Sequence, residues 1–361
     1  MITEADVHFP DIPFKKTAIL TLIGLIIYFG YLYVVGFESV ETALLSVNYW
    51  YIGLACLAAI AANVFHAAGW WIFLKDLKYK ISLFDSFLIY MSATFFVNLI
   101  PSAAISGEVA KIYFVQKMTP DTRFDRTLAA GLLSRLLEIV PVALGTLIGV
   151  GYLAWNYDIP FWVLAFCVFI AGTVSLAAIT ILIISFNSEL LMSIFKSIYM
   201  FLHRIFKSKD LDNRLLKMNA IIQQFDVSIR LLTRSKSLIL KSLCHIFMAF
   251  VLDVYIAFIA FKAIGYPVSM GIIITIFSIM MILQMLPTFL PGGVGLVDII
   301  MTLLYLSMGV PEVNAAGATI LIRFVTLWFL TAAGGLVTLH LSRRLEKDQL
   351  MNSGNKFERP S

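Results

Sequence analysis

The sequence predicts an all-α polytopic membrane protein: an inverted repeat with six full transmembrane helices plus two interrupted, re-entrant helical hairpins. Three observations predict this class. The chain is 60% hydrophobic over 361 residues and only 14% charged, whereas soluble domains are roughly 25% charged. Apolar stretches of about 20 residues recur along its whole length. A pattern of charged residues occurs twice inside such stretches.

Six apolar stretches are long enough to cross a bilayer as a helix. Two further apolar regions, Leu83–Lys117 and Val268–Met308, are interrupted by Pro and small residues, so each is expected to form a hairpin. The six predicted spans are Thr17–Gly36, Trp50–Leu74, Thr127–Trp155, Phe161–Ile184, Leu238–Ile264 and Ala315–Leu341.

The charges of the loops predict the orientation of these helices. Lys and Arg precede the first span and follow the second and the last, whereas the loop after Gly36 and the loop between Trp155 and Phe161 carry only acidic charges. Basic loops stay on the cytoplasmic side. Both termini are therefore expected in the cytoplasm, with the protein in the plasma membrane.

With this orientation the first hairpin begins and ends on the cytoplasmic side of the membrane, and the second begins and ends on the outer side. Inverted repeats of this kind are typical of secondary transporters, whose sites lie where the interrupted helices meet. The insertion in the second repeat is expected to form an interfacial helix on anionic lipid or a solvated helical hairpin. The predicted segments are a cytoplasmic N-terminus at 1–16, a first repeat at 17–155 with hairpin 83–117, a second repeat at 161–341 with a basic cytoplasmic insertion at 185–237 and hairpin 268–308, and a cytoplasmic tail at 342–361. The tail is expected to be disordered from Glu346 to Ser361.

The repeated pattern is a Pro, an acidic residue seven positions later, and an Arg in the next apolar span. A charge at the bilayer centre costs roughly 2.5–3.5 kcal/mol, so four such charges indicate a function. The two copies are Pro101, Glu108 and Arg135, and Pro291, Asp298 and Arg323.

Each hairpin tip is rich in Pro and Gly. Pro lacks a backbone donor and Gly permits unusual backbone angles, and the N-terminus of the helix that follows favours an anion, phosphate especially. The alternative is a plain turn between two complete spans. The tip residues are Pro101 and Gly107 in the first hairpin, and Pro291, Gly292, Gly293 and Gly295 in the second.

The charged residues of the pattern have two possible arrangements. Glu138 follows Arg135 by three residues, so the two share a helix face and can neutralise each other. Arg323 stands nearly alone and is expected to meet Asp298 or a substrate oxyanion. The simpler alternative is a structural ion pair in each half, Glu108 with Arg135 and Asp298 with Arg323.

Other polar residues within the spans give weaker signals. Asp253 lies among apolar residues and is a candidate for proton coupling. His66 and His245 are interpreted as hydrogen-bonded packing residues. No metal-ligand spacing and no P-loop occur, so neither a metal nor a cofactor is expected. The net charge of +5 resides mostly in loops, so nucleic acid is not expected as a partner.

Several of these motifs together form a family pattern that covers nearly the whole chain: Asn98–Pro101, Gly107–Glu108 with Lys111, Arg135 with Glu138, Leu290–Gly295 with Asp298, and Arg323. The pattern resembles the transmembrane region of lysylphosphatidylglycerol synthase/flippases and their stand-alone bacterial and archaeal relatives. The resemblance implies movement of lipids between leaflets. Archaeal relatives further imply a lipid-modifying or glycosylation enzyme as partner, through dolichol-phosphate-dependent glycosylation.

The sequence departs from this family in three places. The family commonly has Arg where this chain has Lys111, and Glu where it has Asp298. Gly69-Trp70-Trp71 stands where an Arg-Trp pair is frequent. The chain also ends soon after its last span, so a soluble lysyl-transferring domain is not expected, and lipid transport is expected rather than an enzyme.

The sequence therefore predicts a lipid translocase whose partners are membrane lipids with phosphate head groups. Glu108 and Asp298 are expected to pair with the cations in the empty state. One alternative is an intramembrane enzyme acting on polyprenyl phosphates, for which His66 and His245 lack an evident partner; the other is an ion-coupled transporter of a small anion. The cations expected to hold the lipid phosphate are Arg135, Arg323 and Lys111.

Overall fold

The computed structural model of the protein describes residues 47–100, 105–120, 122–156, 227–285 and 290–357, with isolated residues elsewhere. Every regular element in these ranges is helical, so the all-α class is confirmed for them. Several predicted features fall outside the described residues: the N-terminus, the span Thr17–Gly36, most of the span Phe161–Ile184, most of the insertion, and Pro101.

Nine α-helices are named here, and residues 227–233 of the described part are also helical. Four helical stretches there are long and apolar enough to cross a membrane: α1, α4, α5 and a continuous stretch from α8 to Lys347 in α9. Four of the six predicted spans correspond to them. The helices are α1 (Tyr49–Asp76), α2 (Leu83–Leu99), α3 (Ile105–Met118), α4 (Phe124–Asn156), α5 (Lys236–Ala263), α6 (Met270–Met285), α7 (Leu296–Ser307), α8 (Glu312–Arg323) and α9 (Leu330–Phe357).

The two interrupted regions each contain a pair of short helices. α2 and α3 have 17 and 14 residues, and α6 and α7 have 16 and 12. At 1.5 Å per residue these arms are about 18–25 Å long, shorter than the roughly 30 Å hydrocarbon core. In the first hairpin the Ser106 hydroxyl donates to the Phe96 carbonyl at 3.1 Å, which ties the start of α3 to the end of α2.

Contacts between loops and helix ends bring several basic residues together at one end of the bundle. The Tyr79 hydroxyl donates to the Arg123 carbonyl at 3.2 Å, and the Arg344 guanidinium donates to Asp85 at 2.7 Å. We call this end, defined by Lys78, Tyr79, Asp85, Arg123 and Arg344, the basic end. The first hairpin enters and leaves the bundle here, since α2 begins beside Arg344 and α3 leads into the loop before Arg123.

The second hairpin enters from the opposite end. There the Asn48 N–H donates to the Ala263 carbonyl at 3.1 Å, and Gly271, at the start of α6, packs directly against the Tyr152 ring near the end of α4. Val310, which follows α7, belongs to the same apolar cluster as Ala263. The two hairpins therefore insert from opposite ends of the bundle.

The long helices and the hairpins pack reciprocally. α1 and α5 lie antiparallel, with the Ser242 hydroxyl donating to the Gly69 carbonyl at 2.9 Å. α2 lies antiparallel on α9, where the Ser92 and Thr338 hydroxyls are 2.8 Å apart. α6 lies on α4, where a Cβ added to Gly149 would be 2.9 Å from the Thr275 backbone. The first arm of each hairpin thus contacts the last long helix of the other half, with small residues permitting close approach.

The last helix differs from the sequence prediction. Residues Phe324–Phe329, directly after Arg323, are π-helical, a local widening that often marks functional sites. The helix also continues to Phe357, so the prediction of disorder from Glu346 to Ser361 is wrong for the described part of that segment. Glu, Lys, Gln, Leu and Met in this segment are strong helix formers, which explains the extension.

Candidate functional site

The tip of the second hairpin is built from glycines in the left-handed region. Gly292 has a φ of 55°, Gly293 of 68° and Gly295 of 85°, and side chains other than Gly rarely adopt such angles. Pro291–Gly293 form a single 3₁₀ turn, after which α7 begins at Leu296. The Pro and Gly residues of this tip therefore produce the tight turn of the hairpin that the sequence predicts here.

A buried ion pair clamps this tip. Arg323 Nε donates to Asp298 Oδ1 at 3.2 Å, and its Nη2 donates to the Gly292 carbonyl. The second oxygen of Asp298 accepts the Gly295 N–H at 2.8 Å. The Arg323 side chain is only 4% exposed. The sequence left two partners open for it, Asp298 or a substrate oxyanion, and the pairing with Asp298 is the one observed.

The second tip also contacts the first hairpin. A Cβ added to Gly292 would overlap the Leu327 side chain and lie 3.4 Å from the Asn98 carbonyl at the end of α2. The Asn98 amide donates to the Thr331 hydroxyl at 2.9 Å. We call Asn98, Gly292, Leu327 and Thr331 the tip junction. The end of α2, the second tip and the π-helical segment therefore meet at one place.

The first half does not repeat the ion pair of the second half. Glu108 and Arg135 were one predicted pair, but Lys111 Nζ binds Glu108 Oε1 at 2.8 Å, and Arg135 Nη1 binds Glu138 Oε2 at 2.8 Å. That prediction is wrong because each charge has an opposite charge three residues away on its own helix. Glu108 Oε2 instead lies directly against Gly131 of α4.

Lys111 is held deep between aromatic rings. Its Nζ lies 4.6 Å from the centroid of the Tyr90 ring and 5.4 Å from that of the Trp70 ring. These cation–π contacts add to its ion pair with Glu108 and stabilise a charged side chain that is only 4% exposed. Lys111 therefore sits in the interior of the bundle.

Glu138 connects the first-half charges to both histidine and tyrosine. The Tyr90 hydroxyl donates to Glu138 Oε1 at 3.1 Å, and His66 Nδ1 lies 3.7 Å from the same oxygen. On the other side of its ring, His66 Nε2 lies 3.1 Å from Asp253 Oδ2. The His66 and Tyr90 rings stack at 5.6 Å. These contacts join α1, α2, α4 and α5.

We call the connected set of seven side chains the polar cluster. It contains His66, Tyr90, Glu108, Lys111, Arg135, Glu138 and Asp253.

The cations predicted to bind phosphate differ sharply in accessibility. Arg135 is 31% exposed, although it lies in α4, one of the helices that are long and apolar enough to cross a membrane. Among the described residues, Glu138 is the hydrogen-bond acceptor found for Arg135. Most of the five N–H donors of the guanidinium therefore have no acceptor in this part of the chain. Arg323 and Lys111, by contrast, are buried with their charges paired. In this arrangement Arg135 is the most exposed of the three predicted phosphate ligands.

The sequence analysis missed the partners of His66. His66 and Asp253 lie 187 residues apart in the chain, so no local sequence pattern links them. Only a predicted contact between the second and fifth spans would have suggested this pair. His245 is half-buried, and its Nδ1 lies 2.8 Å from the Lys241 carbonyl oxygen. No group of three or more His, Cys, Asp or Glu side chains in the described ranges is arranged to hold a metal ion.

Comparison with known proteins identifies relatives along nearly the whole chain. UPF0104 membrane proteins align at 24% identity in Methanothermobacter thermautotrophicus, covering 88% of this chain and 94% of the relative, and at 22% in Pyrococcus horikoshii, covering 90% and 97%. A UPF0104 membrane protein of Methanocaldococcus jannaschii is 23% identical, covering 93% and 98%. No solved structure matches.

The sequence profile of the lysylphosphatidylglycerol synthase transmembrane region matches residues 18–334. This match includes the repeated pattern, both hairpins and all seven residues of the polar cluster. The chain therefore belongs to the family of the lysylphosphatidylglycerol synthase transmembrane region.

Proposed function

We propose that this protein is a lipid translocase that moves an anionic or polyprenyl-phosphate-linked lipid between the leaflets of the plasma membrane. The head group crosses beside the polar cluster while the acyl or prenyl tails stay in hydrocarbon. The description of the matching family names lysylphosphatidylglycerol, a phospholipid, which supports a phosphate-bearing lipid as cargo. The observation that carries the proposal is the accessible guanidinium of Arg135 inside a membrane-spanning helix.

Arg135 is suited to bind a passing phosphate. Its planar fork matches two phosphate oxygens, and its ion pair with Glu138 offsets the cost of an unpaired charge in hydrocarbon when no lipid is bound. A phosphate competes with Glu138 for the same donors. The resting ion pair therefore keeps the site charged and open to exchange.

The other predicted ligands take part only after a rearrangement. Arg323 donates hydrogen bonds to Asp298 and Gly292, so in the resting state of this proposal it holds the second tip in place. It reaches the phosphate only when the tip opens. Lys111 contributes positive potential from behind Tyr90. The Gly residues of the tip permit the backbone change, because their φ values lie where Gly is unstrained.

We further propose that the two halves form an inverted repeat with alternating access. Three observations support it: the hairpins enter from opposite ends, α1 and α5 pack antiparallel, and the contact of α2 with α9 corresponds to that of α6 with α4. A pseudo-two-fold axis in the membrane plane requires such reciprocity. The basic end then faces the cytoplasm, together with both termini.

The test is reconstitution into liposomes that contain fluorescent phosphatidylglycerol or fluorescent polyprenyl phosphate. With a membrane-impermeant quencher outside, empty liposomes protect the inner-leaflet half of the label. The proposal expects liposomes with protein to lose that protection, and a fluorescent diacylglycerol, which lacks phosphate, to give no protein-dependent change in rate. Equal quenching with and without protein for every phosphate lipid would refute it.

The contact between His66 and Asp253 favours a second candidate function. A carboxylate 3.1 Å from an imidazole nitrogen is the arrangement that orients a general base, which gives His66 the partner that the sequence analysis found lacking. An intramembrane phosphatase acting on polyprenyl phosphates would use it. Release of inorganic phosphate from polyprenyl phosphate by the purified protein would establish this function.

A further inference from the structure

We propose that translocation is coupled to protons: one proton, held by His66 between Asp253 and Glu138, crosses with each phosphate head group. This inference deepens the proposed function and rests on it. It assigns an energy source to the transport, because a proton gradient would then drive the lipid toward one leaflet.

His66 lies where charged groups from several helices converge. Asp253 faces it from α5, Tyr90 from α2, and Glu138 with its partner Arg135 from α4. Behind the Tyr90 ring, α3 contributes the pair Lys111 and Glu108. The adjacent π-helical segment Phe324–Phe329 carries no titratable side chain. His66 is therefore the titratable group that bridges acidic residues of the two halves.

The charges of the polar cluster balance only when a proton is added. Its permanent cations are two, Lys111 and Arg135, and its carboxylates are three, Glu108, Glu138 and Asp253. With a neutral imidazole the cluster carries one excess negative charge, which is costly to bury. A proton on His66 brings the net charge of the cluster to zero.

The geometry of the imidazole fits a bound proton. A protonated histidine donates from both ring nitrogens. His66 Nε2 lies 3.1 Å from Asp253 Oδ2, and Nδ1 lies 3.7 Å from Glu138 Oε1. Nδ1 is buried without a hydrogen-bond partner, so a small closing movement of Glu138 would supply one. The excess proton thus has a carboxylate on either side.

Binding of phosphate and binding of the proton are linked through Glu138. A phosphate that takes the Arg135 donors removes the counter-cation of Glu138. The nearest replacement is the proton on His66 Nδ1, 3.7 Å from Glu138 Oε1. Each ligand therefore raises the affinity for the other by the same factor. The proton enters from one side and leaves on the other side together with the head group.

The test uses the same proteoliposomes and fluorescent phosphatidylglycerol, with the membrane potential held at zero. One monoanionic head group and one proton move without net charge, so a pH difference of one unit is expected to support an approximately tenfold asymmetry of the lipid between leaflets. Reversing the pH gradient should reverse the asymmetry. Without a gradient the label should distribute evenly.

A matched pair of variants locates the proton. His66→Gln is expected to abolish the response to the pH gradient, whereas His245→Gln, at a half-buried histidine of α5 outside the cluster, is expected to retain it. If His66→Gln does not fold, unaltered protein in weakly buffered detergent gives the second readout. At a pH high enough for the empty protein to have released this proton, addition of phosphatidylglycerol micelles should raise the pH reported by a dye, with uptake of about one proton per protein.

The outcomes separate this inference from the proposed function. A final distribution of the label that is even both with and without a pH gradient overturns the proton coupling and leaves the translocase intact. An asymmetry that follows a sodium gradient and ignores pH also overturns it. Failure of every phosphate lipid to flip overturns both proposals.

Discussion

The carboxylate of Asp298 bonds both the Arg323 guanidinium, at 3.2 Å, and the Gly295 N–H, at 2.8 Å. One acidic side chain thus joins the end of α8 to the tip of the second hairpin. In the first half the corresponding acid, Glu108, bonds Lys111 on its own helix. The two copies of the repeated pattern therefore have different environments. In the second the Arg is buried in its ion pair, and in the first Arg135 is partly exposed.

This difference predicts that the second-half pair contributes strongly to stability. Arg323→Gln or Asp298→Asn leaves a buried charge without its partner, so each is expected to lower the free energy of unfolding by about 3–5 kcal/mol. The double variant should lose less than the sum of the two. Unfolding of purified protein in detergent measures all three changes. Additive losses would show that the two side chains do not interact.

The backbone of the second tip predicts that a methyl group added at Gly292 lowers the stability of the protein, whereas one added at Gly53 does not. Gly292→Ala forces a residue with a side chain into a φ of 55° and against Leu327, so it is expected to destabilise the protein by about 1–3 kcal/mol. Gly53→Ala in α1 is the control, because a Cβ there meets nothing within 4 Å. It should leave stability unchanged or raise it by up to about 1 kcal/mol. Equal thermal stability of the two variants would contradict the described tip.

The proposed topology predicts the sidedness of two exposed positions. Lys80 lies at the basic end, and Glu312 begins α8 at the opposite end. With the native cysteines Cys56, Cys167 and Cys244 replaced, Lys80→Cys should react with an impermeant maleimide only from the cytoplasm. Glu312→Cys should react only from outside. Labelling of both positions from the same side would rule out the inverted arrangement.

Features set by local sequence were predictable here. The helix breaks, the left-handed glycines of the second tip and the ion pair of Asp298 with Arg323 follow from Pro/Gly chemistry and from the cost of a lone charge in lipid. The partner of Glu108 was predicted wrongly because two acceptable cations, Arg135 and Lys111, competed for it. The partners of His66 were missed because they come from α4 and α5, and their approach depends on how distant helices cross.

The most direct test of the central claim is the flipping rate of fluorescent phosphatidylglycerol with Arg135→Gln, compared with Arg123→Gln. Arg123 also forms an ion pair with a carboxylate, at 3.0 Å, but lies at the basic end. A lost charge-assisted phosphate contact costs about 1.5–3 kcal/mol, so Arg135→Gln should flip lipid roughly 10- to 100-fold more slowly. Arg123→Gln should match the unaltered protein. Unchanged flipping by folded Arg135→Gln would contradict the account.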